Sequence, residues 1–146
     1  MKAPGNWTIE GLFEGRPESY RLFQAVQRYI ESIGPVNIEA AKTQVAFSLT
    51  TKFAWVWLPQ MWIKEANEGS ITLTFDLGRH VRHERIKQAV EPRPGRWTHH
   101  VVIEKESDLD DNVREWLREA YRQVEVRRQA ARRRTRPVRI SSGRCD

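Results

Sequence analysis

The stretch 53-FAWVWL-58 is apolar at every position. Successive side chains of a β-strand point to opposite faces of a sheet, so Phe53, Trp55 and Trp57 are expected on one face and the three alternate residues on the other. A strand without a polar face is typical of the centre of a sheet covered on both sides, or of a strand that lines a groove. Pro59 ends the run. Because neither face is polar, this stretch predicts a strand near the middle of a sheet.

Further runs with strand character lie on both sides of this stretch. In 71-ITLTFDL-77 apolar residues alternate with threonines, which is the pattern of a strand with one buried face. The segment 61-MWIKEA-66 is expected to form a brief strand. Three other runs are also predicted to be strands: 36-VNIEA-40, 44-QVAFSLT-50 and 97-WTHHVVIEK-105.

Helical patterns flank the strands. Pro17 suits a first helical position, and Gly34 followed by proline suits a helix end. Between them an apolar face recurs at spacings of three and four, formed by Tyr20, Phe23, Val26, Ile30 and Ile33. A second, longer helix is predicted to start with a capping-box-like pair, Ser107 and Asp110. Its apolar side consists of Leu109, Val113, Trp116, Leu117, Ala120, Tyr121 and Val124.

The segment 79-RHVRHERIKQAVEP-92 fits neither pattern cleanly. The positions of Ile86, Ala89 and Val90 favour one or two turns of helix, stopped by 91-EPRPG-95. The resulting order of elements predicts an α+β fold: an antiparallel sheet of about five strands, with N-terminal and long C-terminal helices packed on it.

The chain of 146 residues suits one domain. We expect that domain over residues 17–125, preceded by a loosely attached segment 1–16 and followed by an arginine-rich tail, 126–146, that extends the helix and then becomes disordered. Cys145 is the single cysteine, and neither a secretory signal nor a membrane-spanning run is recognisable. These features predict a cytoplasmic protein without disulfides.

Four stretches carry a resemblance to known proteins: 33-IGPVNIE-39, 44-QVAFSLTTKFAWVW-57, 91-EPRPGRWTHHVVI-103 and 108-DLDDNVREWLREAY-121. Together they resemble a family of small, uncharacterised bacterial domains that also ends longer chains described as predicted transport proteins. More distantly, the layout is similar to the double-wing, DNA-binding-like proteins of the MmcQ/YjbR type. That second resemblance implies nucleic-acid binding through analogy of fold, while none of the four stretches is a catalytic signature.

The histidine pair in 96-RWTHH-100 is the first candidate for chemistry. Neighbours on a strand face opposite ways, so His99 and His100 cannot both bind one ion without a bulge. We therefore predict no metal site and no cofactor, with His99 buried and His100 exposed. The acidic run 104-EKESDLDD-111 is explained by its position at a helix start, where carboxylates are favoured, rather than by catalysis.

Trp55, Trp57 and Trp62 are the second candidate. They are expected to pack beneath a helix or, if one sheet face is open, to line a groove for a small molecule, a protein or stacked bases. Only Lys52 and Lys64 lie close to them in the sequence as cations.

The C-terminal tail is the third candidate. The formal net charge is +6, yet residues 122–146 alone carry +7, so the remaining 121 residues sum to −1. Arginines contact phosphates without reading sequence, and the alternative is a solvated end with no partner. The sequence thus predicts a non-enzymatic binding module with DNA or RNA as leading partner. The alternative is a small-molecule or protein ligand in the aromatic groove, and a metal-dependent enzyme built on His99 or His100 ranks third. The predicted phosphate contacts are Arg127, Arg128, Arg132, Arg133, Arg134 and Arg136.

Overall fold

The computed structural model describes residues 7–59, 61–64 and 66–135. Its helices are α1 (Ile9–Leu12), α2 (Pro17–Ile33), a 3₁₀ turn (Glu106–Asp108) and α3 (Asp111–Thr135). Its strands are β1 (Asn37–Ala40), β2 (Gln44–Ser48), β3 (Lys52–Trp57), β4 (Ile71–Leu77), β5 (Ile86–Arg93) and β6 (Arg96–Ile103). All neighbouring strands are antiparallel, in the order β1-β2-β3-β4-β6-β5. The α+β class is confirmed, with six strands rather than about five.

Helices α2 and α3 pack on one face of the sheet, which we call the covered face. Phe23 of α2 stacks on Phe47 of β2 with ring centroids 6.1 Å apart. From α3, Trp116 stacks on Phe75 of β4 at 5.7 Å. The strand residues of this face, such as Val56 and Leu73, are fully buried, so the main hydrophobic core lies between the sheet and these two helices.

The prediction of a helix within residues 79–92 was wrong, because residues 86–93 form the edge strand β5. A helix of one or two turns is unstable without packing. The turn at Gly95, where φ is 78°, instead folds the chain back so that β5 pairs with β6. The strand is largely exposed, which explains why its sequence lacks the apolar alternation of a buried strand.

Two expectations around β3 also need correction. Phe53 does not share a face with Trp55, because the register of β2 and β3 shifts between Phe47 and Ser48. Phe53 instead meets Tyr121 of α3 edge-on at 5.5 Å, on the covered face. In the segment 61–66, residues 61–64 form bends and a turn rather than the brief strand that was predicted.

Two further local expectations, for the segment before α2 and for the start of α3, differ from the structure. Phe13, just after α1, is buried against Tyr20 and Phe23, so the described part of the segment 1–16 packs on the domain instead of lying loose. The N-cap of α3 is Asp110, whose Oδ1 accepts from the backbone N–H of Val113 at 3.0 Å. Ser107 therefore does not cap this helix; it belongs to the preceding 3₁₀ turn.

Helix α3 continues to Thr135, and Val124 is its last buried residue. Arg136 and the rest of the predicted disordered tail lie outside the described residues. In the described part of the chain, no helix combines the length and apolar character needed to cross a membrane.

Candidate binding groove on the open face of the sheet

The face opposite α2 and α3 carries a different set of side chains, and we call it the open face. Register places Trp55 of β3 beside Thr74 of β4, and Thr74 beside His100 of β6. The next position on this face pairs Trp57 with Thr72. Toward the other end, Thr98 pairs with Asp76. The open face thus combines two tryptophans with polar groups, where the covered face is almost entirely hydrocarbon.

A cavity of about 340 Å³ lies on the open face, and we call it the aromatic groove. Strands β3, β4 and β6 form its floor, β5 forms one wall, and the segment after β3 contributes Trp62. The lining residues are Trp55, Trp57, Trp62, Thr74, Val90, Pro92, Thr98 and His100. All three tryptophans singled out by the sequence therefore meet in one cavity, although not beneath a helix.

Trp62 is held by two ring contacts but remains accessible. Its ring stacks on His100 with centroids 4.7 Å apart and an interplanar angle of 18°. It also meets Trp57 edge-on at 5.2 Å. Because 46% of its surface is still exposed, Trp62 presents an aromatic wall that a ligand can reach.

His100 forms part of the groove floor and is neutral at pH 7. Its Nδ1 lies 2.7 Å from Oγ1 of Thr74, in a buried hydrogen bond. Burial is the main cause that lowers its pKa to about 4, and the neighbouring His99 adds to this effect. The expectation of an exposed His100 was wrong: its exposure is 2%, and Trp62 is stacked on its ring.

Some of the other polar groups on the open face have hydrogen-bond partners and others have none. Thr98 donates from Oγ1 to Oδ1 of Asp76 at 2.8 Å. Burial raises the pKa of Asp76, although the bond from Thr98 and the charges of Arg96 and Arg127 act in the opposite direction. In contrast, Nε1 of Trp57 and Oγ1 of Thr72 are buried without a hydrogen-bond partner in the described structure.

His99 points to the covered face, so the prediction that the two histidines face opposite ways is confirmed. Its ring is fully buried and stacks on Phe75 at 5.4 Å. Nε2 of His99 accepts from the backbone N–H of Val81 at 3.0 Å. Burial is the main cause that lowers the pKa of His99. Among residues 7–59, 61–64 and 66–135, no group of three or more His, Cys, Asp or Glu is arranged to hold a metal ion.

The acidic run before α3 is engaged in local structure. Oδ2 of Asp108 accepts from the backbone N–H groups of Glu104 and Lys105. Besides capping α3, Asp110 accepts from Arg85 at 2.6 Å, and Arg85 also reaches the carbonyl of Asp108. These contacts account for the carboxylates of Asp108 and Asp110 without a ligand.

Arginines form a surface next to one end of the groove. Arg93 and Arg96 face each other across the β5–β6 turn. Gln123 of α3 donates to the backbone carbonyl of Asp76 at 3.0 Å, and the charges of Arg96 and Arg127 both act on the Asp76 carboxylate, so this part of α3 lies close to that end of the sheet. We call the five exposed or half-exposed arginines of the last turns of α3 the basic end: Arg127, Arg128, Arg132, Arg133 and Arg134.

Sequence reasoning missed the residues that β5 and its turn bring to the groove. Val90 and Pro92 were assigned to a helix and its stop, while Arg93 and Arg96 were not considered as cations near the tryptophans. The proline-glycine pair at 94–95 between two runs of eight residues was the available signal for a hairpin.

These features define a single-sheet α+β domain with one face covered by helices and one that carries an aromatic groove. The chain belongs to a family described as a domain of unknown function, DUF5655, whose model matches residues 9–124. No curated protein and no solved structure matches the chain. The family match begins at α1 and ends at Val124, so the basic end lies beyond it.

Proposed function

We propose that this domain is a non-enzymatic binding module that takes a flat, largely apolar ligand in the aromatic groove. The observation that carries this proposal is the convergence of Trp55, Trp57 and Trp62 around one cavity, over the neutral ring of His100. The sequence alone favoured the arginine tail, whereas the geometry favours the groove.

The size and chemistry of the groove support this choice. Small-molecule sites in proteins are concave, about 300–1,000 Å³, mostly apolar, and contain a few well-placed polar groups. The groove has a volume of about 340 Å³, with aromatic and aliphatic walls and with Thr74, Thr98 and His100 at its floor. Tryptophan rings offer large flat surfaces for offset or edge-on stacking, which suits a planar ligand.

Catalysis is less well supported by the same atoms. The pair formed by Thr74 and His100 has the hydroxyl–imidazole contact of a nucleophile and its base. However, a pKa of about 4 makes His100 a weak base at neutral pH. Asp76 lies one register position away from this pair on the open face, and its carboxylate accepts a hydrogen bond from Thr98.

Titration with neutral planar compounds tests the proposal. Naphthalene, quinoline and indole derivatives are titrated into the full chain while tryptophan fluorescence is recorded, using wild type, Trp62→Ala and Trp7→Ala. Trp7 is a matched control because it is also half-buried but lies in a separate cavity beside β1. We expect saturable quenching in wild type and Trp7→Ala that is lost in Trp62→Ala. Equal binding by all three proteins, or no binding to any of them, would contradict the proposal.

Nucleic-acid binding by the basic end is the second candidate. It is favoured by the continuation of α3 beyond Val124, where five arginines occur without an acidic residue from 126 to 135. Such a surface neutralises phosphates with steep salt dependence. The resemblance to the MmcQ/YjbR layout implies the same partner and stays a prediction.

Fluorescence anisotropy with labelled DNA and RNA across a salt series tests this second candidate. The full chain is compared with a chain that ends at Val124, where the family match also ends. We expect binding that weakens steeply with salt and disappears on truncation. Binding of the shortened chain with unchanged affinity would exclude the basic end as the contact.

A further inference from the structure

We infer that the aromatic groove and the adjacent arginines form one site for a nucleobase that carries a phosphate. This inference rests on the proposed function of the groove and names its ligand class. The base would stack among Trp55, Trp57 and Trp62, and the phosphate would meet Arg96 and Arg127.

The groove has the groups that recognise a base. A base offers a flat π-face and an edge of hydrogen-bond donors and acceptors, and stacking on aromatic side chains tolerates any base. Trp62 provides an accessible face. The hydroxyl groups of Thr74 and Thr98 lie at the floor, where each already has one hydrogen-bond partner and keeps capacity to accept from a base.

The arginines are placed where the phosphate would lie. Thr98 lines the groove, and Arg96 is two residues away on the same face of β6, a separation of about 7 Å. Arg93 lies opposite Arg96 across the turn. The sugar of a nucleotide would bridge this interval, with the base in the groove beside Trp55 and the phosphate at Arg96.

The charge at this end of the groove favours an anion. Two carboxylates are present, but Asp76 accepts from Thr98 and Glu91 accepts from the backbone N–H of Gly95 at 2.9 Å. Arg93, Arg96 and Arg127 outnumber these two carboxylates.

The basic end extends the same surface. Arg134 follows Arg127 by seven residues, so both lie on one side of α3. A single strand with one base in the groove would therefore find further cationic contacts along the helix. Duplex DNA, whose bases are stacked inside, would use only the arginines.

Binding to defined nucleotides tests the inference. A fluorescein-labelled single strand of about eight thymidines is titrated into the full chain and followed by anisotropy. Thymidine monophosphate is followed by tryptophan quenching, and a duplex of matched length is the third probe. Wild type is compared with Trp62→Ala, Trp55→Leu, Arg96→Gln and the control Trp7→Ala, each checked for its fold by circular dichroism.

We expect the single strand to bind more tightly than the duplex. Trp62→Ala and Trp55→Leu should each weaken the single strand roughly tenfold or more, because a stacking partner is lost. Arg96→Gln should weaken it several-fold and lower the slope of log affinity against log salt by about 1. Equal affinity for monophosphate and oligomer identifies a nucleotide pocket, and tighter oligomer binding identifies a single-strand site that uses the basic end.

Three results would overturn the inference, and they separate it from the proposed function. Undiminished oligomer binding in both tryptophan variants would mean that the arginines act alone. Binding of neutral planar compounds without any binding of nucleotides would leave the groove function standing and remove this ligand class. Absence of binding by both kinds of probe would contradict the inference and the proposed function together.

Discussion

The covered face and the open face of the sheet are built from alternate residues of the same strands, yet they are buried by different means. In β4 all seven residues are buried, but Leu73 and Phe75 meet the helices, whereas Thr72 and Thr74 lie on the open face. Trp62 covers part of that second face and remains 46% exposed.

The difference indicates a division of roles between the faces. Burial of hydrocarbon is the main favourable contribution to folding, and the covered face has nearly all of it. Buried polar groups cost stability unless they are paired. Within the described structure Nε1 of Trp57 and Oγ1 of Thr72 on the open face, and Nδ1 of His99 on the covered face, have no partner. The accessible ring of Trp62 is therefore what distinguishes the open face, which we propose is the face that binds a ligand.

The largest expected effect comes from the covered face. Phe75→Ala should lower the free energy of unfolding by about 3–5 kcal/mol, because Phe75 is fully buried between His99 and Trp116. Urea denaturation followed by far-ultraviolet circular dichroism measures this change. A loss below about 1 kcal/mol would contradict the assignment of the main core to this face.

Protonation of His100 should produce the next largest effect. Its pKa is lowered from 6.5 to about 4, so the unfolded chain binds the proton more readily than the folded one. The stabilisation that comes from keeping His100 neutral is therefore fully present above pH 6.5. The free energy of unfolding falls as the pH drops toward 4, by on the order of 2–3 kcal/mol.

Urea denaturation at several pH values measures this dependence, with His100→Gln as the control that should flatten part of it. Burial also lowers the pKa of His99, so the remaining slope in that variant is attributed to the covered face. Identical pH profiles for the two proteins would show that His100 titrates normally.

Removal of Trp62 should have a smaller effect on stability and a specific effect on His100. Trp62→Ala should cost about 1–2 kcal/mol, since the ring is only half buried. It should also move the pKa of His100 back toward 6.5, because water reaches the imidazole. Titration of the histidine ring signals by NMR measures that shift, and an unchanged pKa of about 4 would mean that the sheet alone buries His100.

The smallest expected effect concerns the start of the covering helix. Asp110→Ala should cost about 1 kcal/mol through loss of the N-cap, whereas Ser107→Ala should change stability by less than about 0.5 kcal/mol. Thermal unfolding of the two variants in parallel gives the comparison. A larger loss of stability for Ser107→Ala than for Asp110→Ala would contradict Asp110 as the N-cap and support the helix start that the sequence pattern predicted.

Sequence patterns predicted the covered face better than the open one. Regular apolar spacing located α2, α3 and β4, because each has a helix-facing or sheet-facing hydrophobic side that packing requires. The edge strand β5 is largely exposed and does not need a regular hydrophobic side, so the spacing of its apolar residues wrongly indicated a helix. The turn of the β5–β6 hairpin had a local signal in Pro94 and Gly95. The groove also depends on Trp62 from a loop and on register shifts between strands, which are tertiary features that no local pattern encodes.

The central claim is that ligands bind on the open face and leave the covered face unchanged. The most direct test is a ¹⁵N–¹H correlation spectrum of the six tryptophan indole groups during titration with a planar compound. The account predicts that the signals of Trp55, Trp57 and Trp62 shift together, while those of Trp7 and Trp116 stay in place. Shifts confined to Trp7 or Trp116, or no shift with any compound of the panel, would contradict it.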